Sequence, residues 1–493
     1  MDVPSFEHLV SQGYNYIPLV REVLADLDTP LSIYLKLAQG PYSYLLESMH
    51  GNEKWSRYSF IGLPCRTVIK VQHHGITVET NRKIVETYDT HDPLTWIENF
   101  KLRFKVPEIS GLPRFTGGLV GYFGYDTIRY IEPKLAYWNK SNTLETPDIF
   151  LLLSEELVIF DNLSNKLYLI VYVDPENYSQ GVQRLSVLEN ALYKPLLDNY
   201  LPQSDSSTST PISEHNFISE FTETKFKEAV TKARQYIIDG DMMQVVLSQR
   251  LSVNFRAPPL NLYRSLRYLN PSPYMYYFNF DEFYVVGSSP EILVRIEEGK
   301  VSVRPIAGTR RRGKDESEDL ALEQELMADP KELAEHQMLI DLGRNDIGRI
   351  AEVGSIKVTE KMAIERYSHV MHIVSNVIGQ IKTDFSTMDV IRATFPAGTV
   401  SGAPKIRAME VIDELEPTKR GIYAGAVGYL AWSDNMDMAI AIRTGVIKNN
   451  TLYIQAGAGI VYDSIPQYEW NETMNKGRAM FQAAILADQS NKH

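Results

Sequence analysis

Residues 395–417 read FPAGTVSGAPKIRAMEVIDELEP. The pattern predicts a strand end, a glycine-rich loop and a helix. Gly398 and Gly402 let backbone approach backbone or ligand with no Cβ in the way. Pro404 suits the first helical position, where a missing N–H costs nothing. Ile406, Met409, Ile412 and Leu415 recur at helical spacing. Glu416 closes the helix, because Pro417 disfavours the α region in the residue before it. Loop N–H groups, the Thr399 hydroxyl and a helix N-terminus would then be presented together, an arrangement suited to an anion. A tight strand-to-helix turn with no ligand explains the same spacing. The stretch is not a Walker loop, since no Gly-Lys-Ser/Thr follows at the required distance.

Outward from this loop, the half of the chain from Phe221 alternates helix and strand. Phe226, Ala229, Val230, Ala233 and Ile237 make one helical face, ended by Gly240. A strand is expected at 244–255, a helix at 262–269, strands at 274–280 and 283–287, and a hairpin around EEGK at 297–300. Residues 318–342 read as helix, interrupted at Asp329-Pro330. Residues 1–200 are richer in strand pattern: 42–48, 57–62, a hairpin around His74-Gly75, and apolar strands at 149–160 and 166–173. The run GGLVGYFG at 117–124 places glycines where backbones pack closely. Helices are expected at 31–38 and 181–193. The polar, Ser/Thr-rich stretch after Leu201 is the best linker, which divides the chain into 1–202, 203–216 and 217–493. Antiparallel-rich sheets with helices outside give an α+β fold class.

The chain has 493 residues and a net charge of −12. That balance argues against a nucleic-acid or anionic-membrane partner, but leaves room for an anionic substrate held by a local cation. A single cysteine, Cys65, excludes an internal disulfide framework or a cysteine zinc site. The N-terminus lacks a secretory pattern and no apolar run reaches spanning length, so a cytoplasmic location is expected.

Two acidic helices carry candidate chemistry. KELAEHQM places Glu332 and Glu335 three apart on one face; YEWNETMNK does the same for Glu469 and Glu472, with Lys476 a turn on. Four oxygen donors suit a hard cation such as Mg²⁺. Ordinary solvated helix faces produce the same spacing. SSPE at 288–291 ends a strand and reads equally as a turn cap. His369 and His372 lie in an apolar strand, where a histidine is usually a hydrogen-bonded core residue. Arg443 follows the strand MAIAIR and could be a surface cap.

PAGTVSGAPK resembles the signature of the chorismate-utilising enzymes, and within them the anthranilate synthase component I (aminase) branch. LLES, QVVLSQR, SSPEIL, RPIAGTRRRG, LIDLGRND, YSHVMH and YEWNETMNK extend the resemblance over most of the chain. It implies an αβ sandwich of two sheets packed at a steep angle, with the N-terminal segment packed closely on the C-terminal one. It implies that Glu335 and Glu472 bind a catalytic Mg²⁺, supported by Glu332 and Glu469, and that the metal holds the ring carboxylate of chorismate. Glu291 matches a general acid for the departing ring hydroxyl, which at neutral pH requires a raised pKa. His372 matches a residue beside the substrate ring that assists elimination, and Thr399 is counted with these two. Arg443 and Tyr423 match the partners of the enolpyruvyl carboxylate, for which the arginine fork is suited. Gly398, Gly457, Gly459 and Lys476 match further substrate contacts.

Two positions separate the sister reactions. Gln244 stands where the water-adding isochorismate and salicylate synthases have a lysine base, and a glutamine cannot deprotonate water. Ala307 stands where aminodeoxychorismate synthases have a lysine. Both point to amination of chorismate to anthranilate, a lyase reaction of tryptophan biosynthesis. An aminodeoxychorismate synthase and a non-catalytic regulatory paralogue are the rival readings; the second should have lost site residues, and here all are present. Glutamine amidotransfer of the common type needs a cysteine nucleophile. Cys65 has no such signature around it, so a separate amidotransferase subunit is implied, in a hetero-oligomer with two of each subunit. LLES resembles a tryptophan feedback site, which places Glu47 and Ser48 with Asn270, Pro271, Ser272, Pro273, Tyr274 and Met275 around the inhibitor.

Overall fold

The computed structural model describes residues 1–49, 57–136, 140–196, 211–367 and 370–489. Two twelve-stranded sheets, paired antiparallel throughout, carry the fold with helices outside them, the α+β class expected from the sequence. Each sheet takes strands from both sides of the expected linker. In the first, Ser43–Glu47 pairs with Tyr274–Asn279. In the second, Gly118–Phe123 pairs with Ala426–Ala431. Of the 203–216 stretch, residues 203–210 lie outside the described residues; the remainder ends in the turn Glu214–Asn216.

The sheets meet over an aromatic core. Tyr44, Tyr276 and Phe278 come from the first sheet, Tyr122 and Phe150 from the second. Phe280 bridges them, its ring 4.5 Å from Phe150 and 5.4 Å from Tyr122. Tyr44 and Ser154 add one buried hydroxyl pair at 2.6 Å between the sheets. Strand alternation then decides where Glu47 goes. Tyr44 faces the inter-sheet core, so Leu45 and Glu47 face the other way, beneath the helix Pro259–Leu269.

Two local expectations are corrected. The apolar run expected as one strand at 149–160 is two strands in different sheets, Ile149–Ser154 and Glu156–Asp161, parted at Glu155. Both are buried on both faces, so no break in alternation marks the crossing. The signature loop does not follow a strand end. It follows the helix Thr387–Thr394, started by a capping box between Ser386 and Asp389. Pro404 is the cap before the helix Lys405–Leu415 and not its first residue; Glu416 closes that helix as expected.

Candidate active site

The loop between the helices Thr387–Thr394 and Lys405–Leu415 is fastened from below. Gly402 has φ +142°, and a Cβ there would stand 2.2 Å from the Gln244 carbonyl, so only glycine fits. Arg420 and Glu416 form a buried ion pair through two contacts of 2.9 and 2.7 Å. The guanidinium also donates to the carbonyls of Val400 and Val246, each at 2.7 Å. Glu416 accepts from the Ser248 amide at 2.7 Å and its hydroxyl at 2.8 Å. One satisfied network thus joins the loop, the helix end and the strand Gln244–Asn254. Lys405 donates to Asp346 at 2.8 Å, tying the loop's last motif residue to the RND motif of the helix Pro330–Gly348.

Above this base, Thr399 donates its hydroxyl to Glu291 Oε1 at 2.9 Å. Glu291 follows the strand Phe283–Ser289, and its carbonyl accepts from Ile440 N–H at 2.9 Å. Burial pushes its carboxyl up to about 7; the Thr399 bond and the charges of Arg443 and Lys476 pull the other way. Arg443 has a left-handed backbone, φ +50°. Burial lowers its guanidinium from the ordinary value, opposed by Glu291 and Tyr367. Among the described residues the guanidinium makes no hydrogen bond or ion pair, which leaves its fork for a ligand.

His372 lies on the strand Val370–Gln380; His369 is outside the described residues. The His372 Nδ1 lies 3.1 Å from the Gly308 carbonyl and 3.0 Å from the Thr309 hydroxyl. A carbonyl only accepts, so Nδ1 carries the proton and Nε2 presents a lone pair. Burial lowers the ring's pKa, which favours its neutral form.

The acidic pairs lie on helices as expected: Glu332 and Glu335 on Pro330–Gly348, Glu469 and Glu472 on Pro466–Gln489. Glu335 is raised by burial first, then by Glu332 and Glu472, which brings carboxylates of both helices into one field. Gln244 donates to Glu335 at 3.4 Å, and Lys476 pairs with Glu472 at 2.7 Å. Among the described residues no three His, Cys, Asp or Glu side chains group closely enough to hold a metal ion. The donor set is nonetheless all oxygen, and the mutual repulsion of its members is what a divalent cation would relieve. Lys476 also donates to the Gly457 carbonyl at 3.1 Å. A Cβ at Gly457 would meet the Tyr423 hydroxyl at 2.8 Å, and one at Gly459 would meet the Gln244 amide at 2.7 Å. These contacts place Gly457, Gly459, Tyr423 and Lys476 along one wall.

The two stretches expected to hold an inhibitor are neighbours. Glu47 pairs with Met275 in the sheet, and Met49 N–H donates to the Ser272 carbonyl at 3.1 Å. Glu47 is already engaged, accepting from Arg267 at 3.2 and 3.3 Å and from the Tyr263 hydroxyl. The Ser288 hydroxyl donates to the Asn270 carbonyl, and Ser288 N–H donates to the Arg443 carbonyl at 3.1 Å. Tyr274 donates to Asp437 at 2.9 Å.

Sequence reasoning missed Arg420 as a clamp, Arg267 and Tyr263 on Glu47, and Arg310, which pairs with Glu332 at 3.2 Å and Asp329 at 2.9 Å. Arg310 lies in RPIAGTRRRG and Arg267 three residues before Asn270, but nothing in spacing identified their partners.

The family model described as chorismate binding enzyme matches residues 48–482. The chain belongs to the chorismate-binding enzyme family. Among curated family members it is 58% identical to anthranilate synthase component 1 of Pseudomonas aeruginosa, over 99% of this chain and 100% of that one. It is 56% identical to the protein of the same name from Neisseria meningitidis serogroup B, over 98% of each. The crystal structure of anthranilate synthase component I from Streptococcus pneumoniae superposes with a TM-score of 0.78 at 38% identity, covering 93% of this chain and 99% of that one. Among the described residues no helix is long and apolar enough to cross a membrane.

Proposed function

We propose that this family member is an anthranilate synthase component I: it aminates chorismate with ammonia and eliminates pyruvate to give anthranilate. The observation that carries this reading is a buried Glu291, its carboxyl pushed up to about 7, in the field of an Arg443 guanidinium that has no hydrogen-bond or ion-pair partner among the described residues, in a chain nearly coextensive with relatives of that name. Arg443 and Tyr423 bind the enolpyruvyl carboxylate. Gly398, Gly457, Gly459 and Lys476 shape the surrounding wall. Glu335 and Glu472, with Glu332 and Glu469 behind them, would hold Mg²⁺, which when bound neutralises the ring carboxylate.

Ammonia forms a bond to the adjacent ring carbon while the ring hydroxyl breaks away. Glu291 gives its proton to that hydroxyl, which leaves as water, and the resulting carboxylate can take the extra proton of the new ammonium group. His372 Nε2 then accepts the ring proton as the ring–oxygen bond of the enolpyruvyl group breaks; the ring becomes aromatic, and the departing enolate takes up a proton at its methylene carbon to become pyruvate. Ammonia is already nucleophilic, so Gln244 need not act as a base and instead hydrogen-bonds Glu335. Cys65 is buried and burial pushes its thiol up, which supports a separate glutamine amidotransferase subunit as the ammonia source. The pairing of Glu47 with Met275 supports tryptophan as a feedback inhibitor at that seam.

The test is anthranilate fluorescence from chorismate, Mg²⁺ and ammonium salts with the purified chain. Formation of anthranilate is expected, and glutamine should replace ammonium only when an amidotransferase subunit is added. Release of aminodeoxychorismate without anthranilate, or no turnover at all, would overturn the reading.

A further inference from the structure

His336 follows Glu335 on the helix Pro330–Gly348, so its side chain leaves about 100° further round the axis, away from the cleft. It is fully buried, as is Ser375. The His336 Nε2 lies 2.7 Å from the Ser375 hydroxyl. Ser375 gathers two further contacts: its oxygen accepts from Met362 N–H at 2.9 Å, and its own N–H donates to the Pro305 carbonyl at 3.1 Å. Pro305 leads directly into the strand Ile306–Arg311, whose Gly308 and Thr309 hold His372 Nδ1. At Gly308 a Cβ would stand 3.0 Å from Ile373 and 3.3 Å from Glu332 Oε2, so the strand already lies tight against the acidic helix.

A short run of contacts therefore leads from the helix of Glu332 and Glu335, through His336 and Ser375, to the strand that orients His372. Neither His336 nor Ser375 reaches the cleft. An apolar pair could fill the same volume, but a buried hydrogen bond accepts far fewer relative placements of helix and strand than apolar packing does.

We propose that His336 and Ser375 are a positioning pair that sets the carboxylates of Glu332 and Glu335 in register with His372. The inference rests on the functional reading above, in which both groups face one substrate. Displacing a reacting group by an ångström costs on the order of 100-fold in rate. Removing a group that orients a ligating side chain typically costs roughly 10- to 100-fold.

The experiment compares His336→Phe, Ser375→Ala, the double variant and His336→Gln, whose amide reaches the Nε2 position. Ammonia-dependent kcat and KM for chorismate are measured per folded molecule, with folding read by thermal melting. Binding of Mn²⁺ without substrate is followed by loss of its free-ion EPR signal. Each of the first two variants should lose about tenfold in kcat, with KM within about twofold, and should bind Mn²⁺ several-fold more weakly. The double variant should fall no further than the singles, and His336→Gln should recover most of the loss. A kcat within about twofold of wild type, multiplying losses in the double variant, or a Gln variant as poor as Phe would overturn the pairing. If His336→Phe does not fold, Ser375→Ala, which deletes one oxygen, decides the matter by the same readouts. A wild-type chain that makes no anthranilate would overturn the functional reading, and the pair would then stand or fall on Mn²⁺ binding.

Discussion

Thr399→Val removes the hydroxyl that donates to Glu291 Oε1 at 2.9 Å and keeps the side-chain shape. That bond favours the carboxylate over the acid. Hydrogen bonds to a charged group contribute roughly 1.5–3 kcal/mol, and one pKa unit is about 1.4 kcal/mol. Losing the bond therefore lifts Glu291 by roughly one to two units from its starting point of about 7, which burial sets and Thr399, Arg443 and Lys476 restrain. A general acid works while protonated, so activity is present below its pKa and lost as pH rises through it. The assay is kcat/KM for chorismate against pH, at a fixed concentration of un-ionised ammonia. The wild-type descending limb should fall near pH 7, the Val limb at least about one unit higher, and the Thr399→Ser limb with wild type. An unmoved limb in the Val variant would refute the link between this hydroxyl and the acid.

Glu291→Gln should abolish turnover and stabilise the fold at neutral pH. The folded-state pKa is raised from 4.5 to about 7, so ionising Glu291 costs stability progressively across that window. The gain on substitution should be absent near pH 4 and reach at most about 3 kcal/mol at pH 8, read by chemical denaturation. Glu335→Ala or Glu472→Ala should abolish turnover with cooperative melting retained; activity surviving in both, with a chelator present, would remove the acidic helices from the chemistry. Arg420→Met strands the buried Glu416 carboxylate and should cost about 3–5 kcal/mol in urea unfolding. A smaller loss, within about 1 kcal/mol, would mean that the network is not the anchor of the loop. Ser48→Phe should relieve inhibition by tryptophan while sparing catalysis; undiminished inhibition would put the effector elsewhere.

Strands were legible where a turn signal or a β-rich run marks them locally. The hairpin of Thr67–Gln72 with Gly75–Thr80 was found from its His74-Gly75 turn, and Ser43–Glu47 from its run of strand-forming residues. Alternation vanishes where both faces are buried, which concealed the crossing between sheets at Glu155. The helix Thr387–Thr394 was lost for a different reason. Its start signal, Ser386 with Asp389, lies upstream of the signature, and its last residues run straight into the loop. The residue types proposed to carry chemistry were legible as types: carboxylates, one arginine, one histidine. Their environment was not. The clamp joins Arg420 to Val246, 174 positions away, and Arg267 reaches Glu47 across 220. No local pattern encodes a partner at that distance; only the folded sheets bring the two together.

The signature stretch and the groups packed around it therefore divide between two tasks that place opposite demands on charge. Arg420, Glu416, Lys405 and Asp346 carry full charges, and each is paired with its opposite within the protein. Their attraction is spent on holding the loop in one place, which is where buried ion pairs contribute specificity more than stability. Glu291 and Arg443 stand just above them and are not joined by a salt bridge. An ion pair between those two would lower the Glu291 pKa and occupy the arginine fork, which would end both proposed roles, the acid and the carboxylate site. Arg443 adopts a left-handed conformation immediately before the strand Thr444–Lys448, and its carbonyl accepts from Ser288 N–H. Thr399 then supplies Glu291 with a neutral hydrogen bond in place of a cation. The loop's charges are paired within the protein, whereas above it the Arg443 guanidinium has no partner among the described residues and the Glu291 carboxyl is met by the Thr399 hydroxyl.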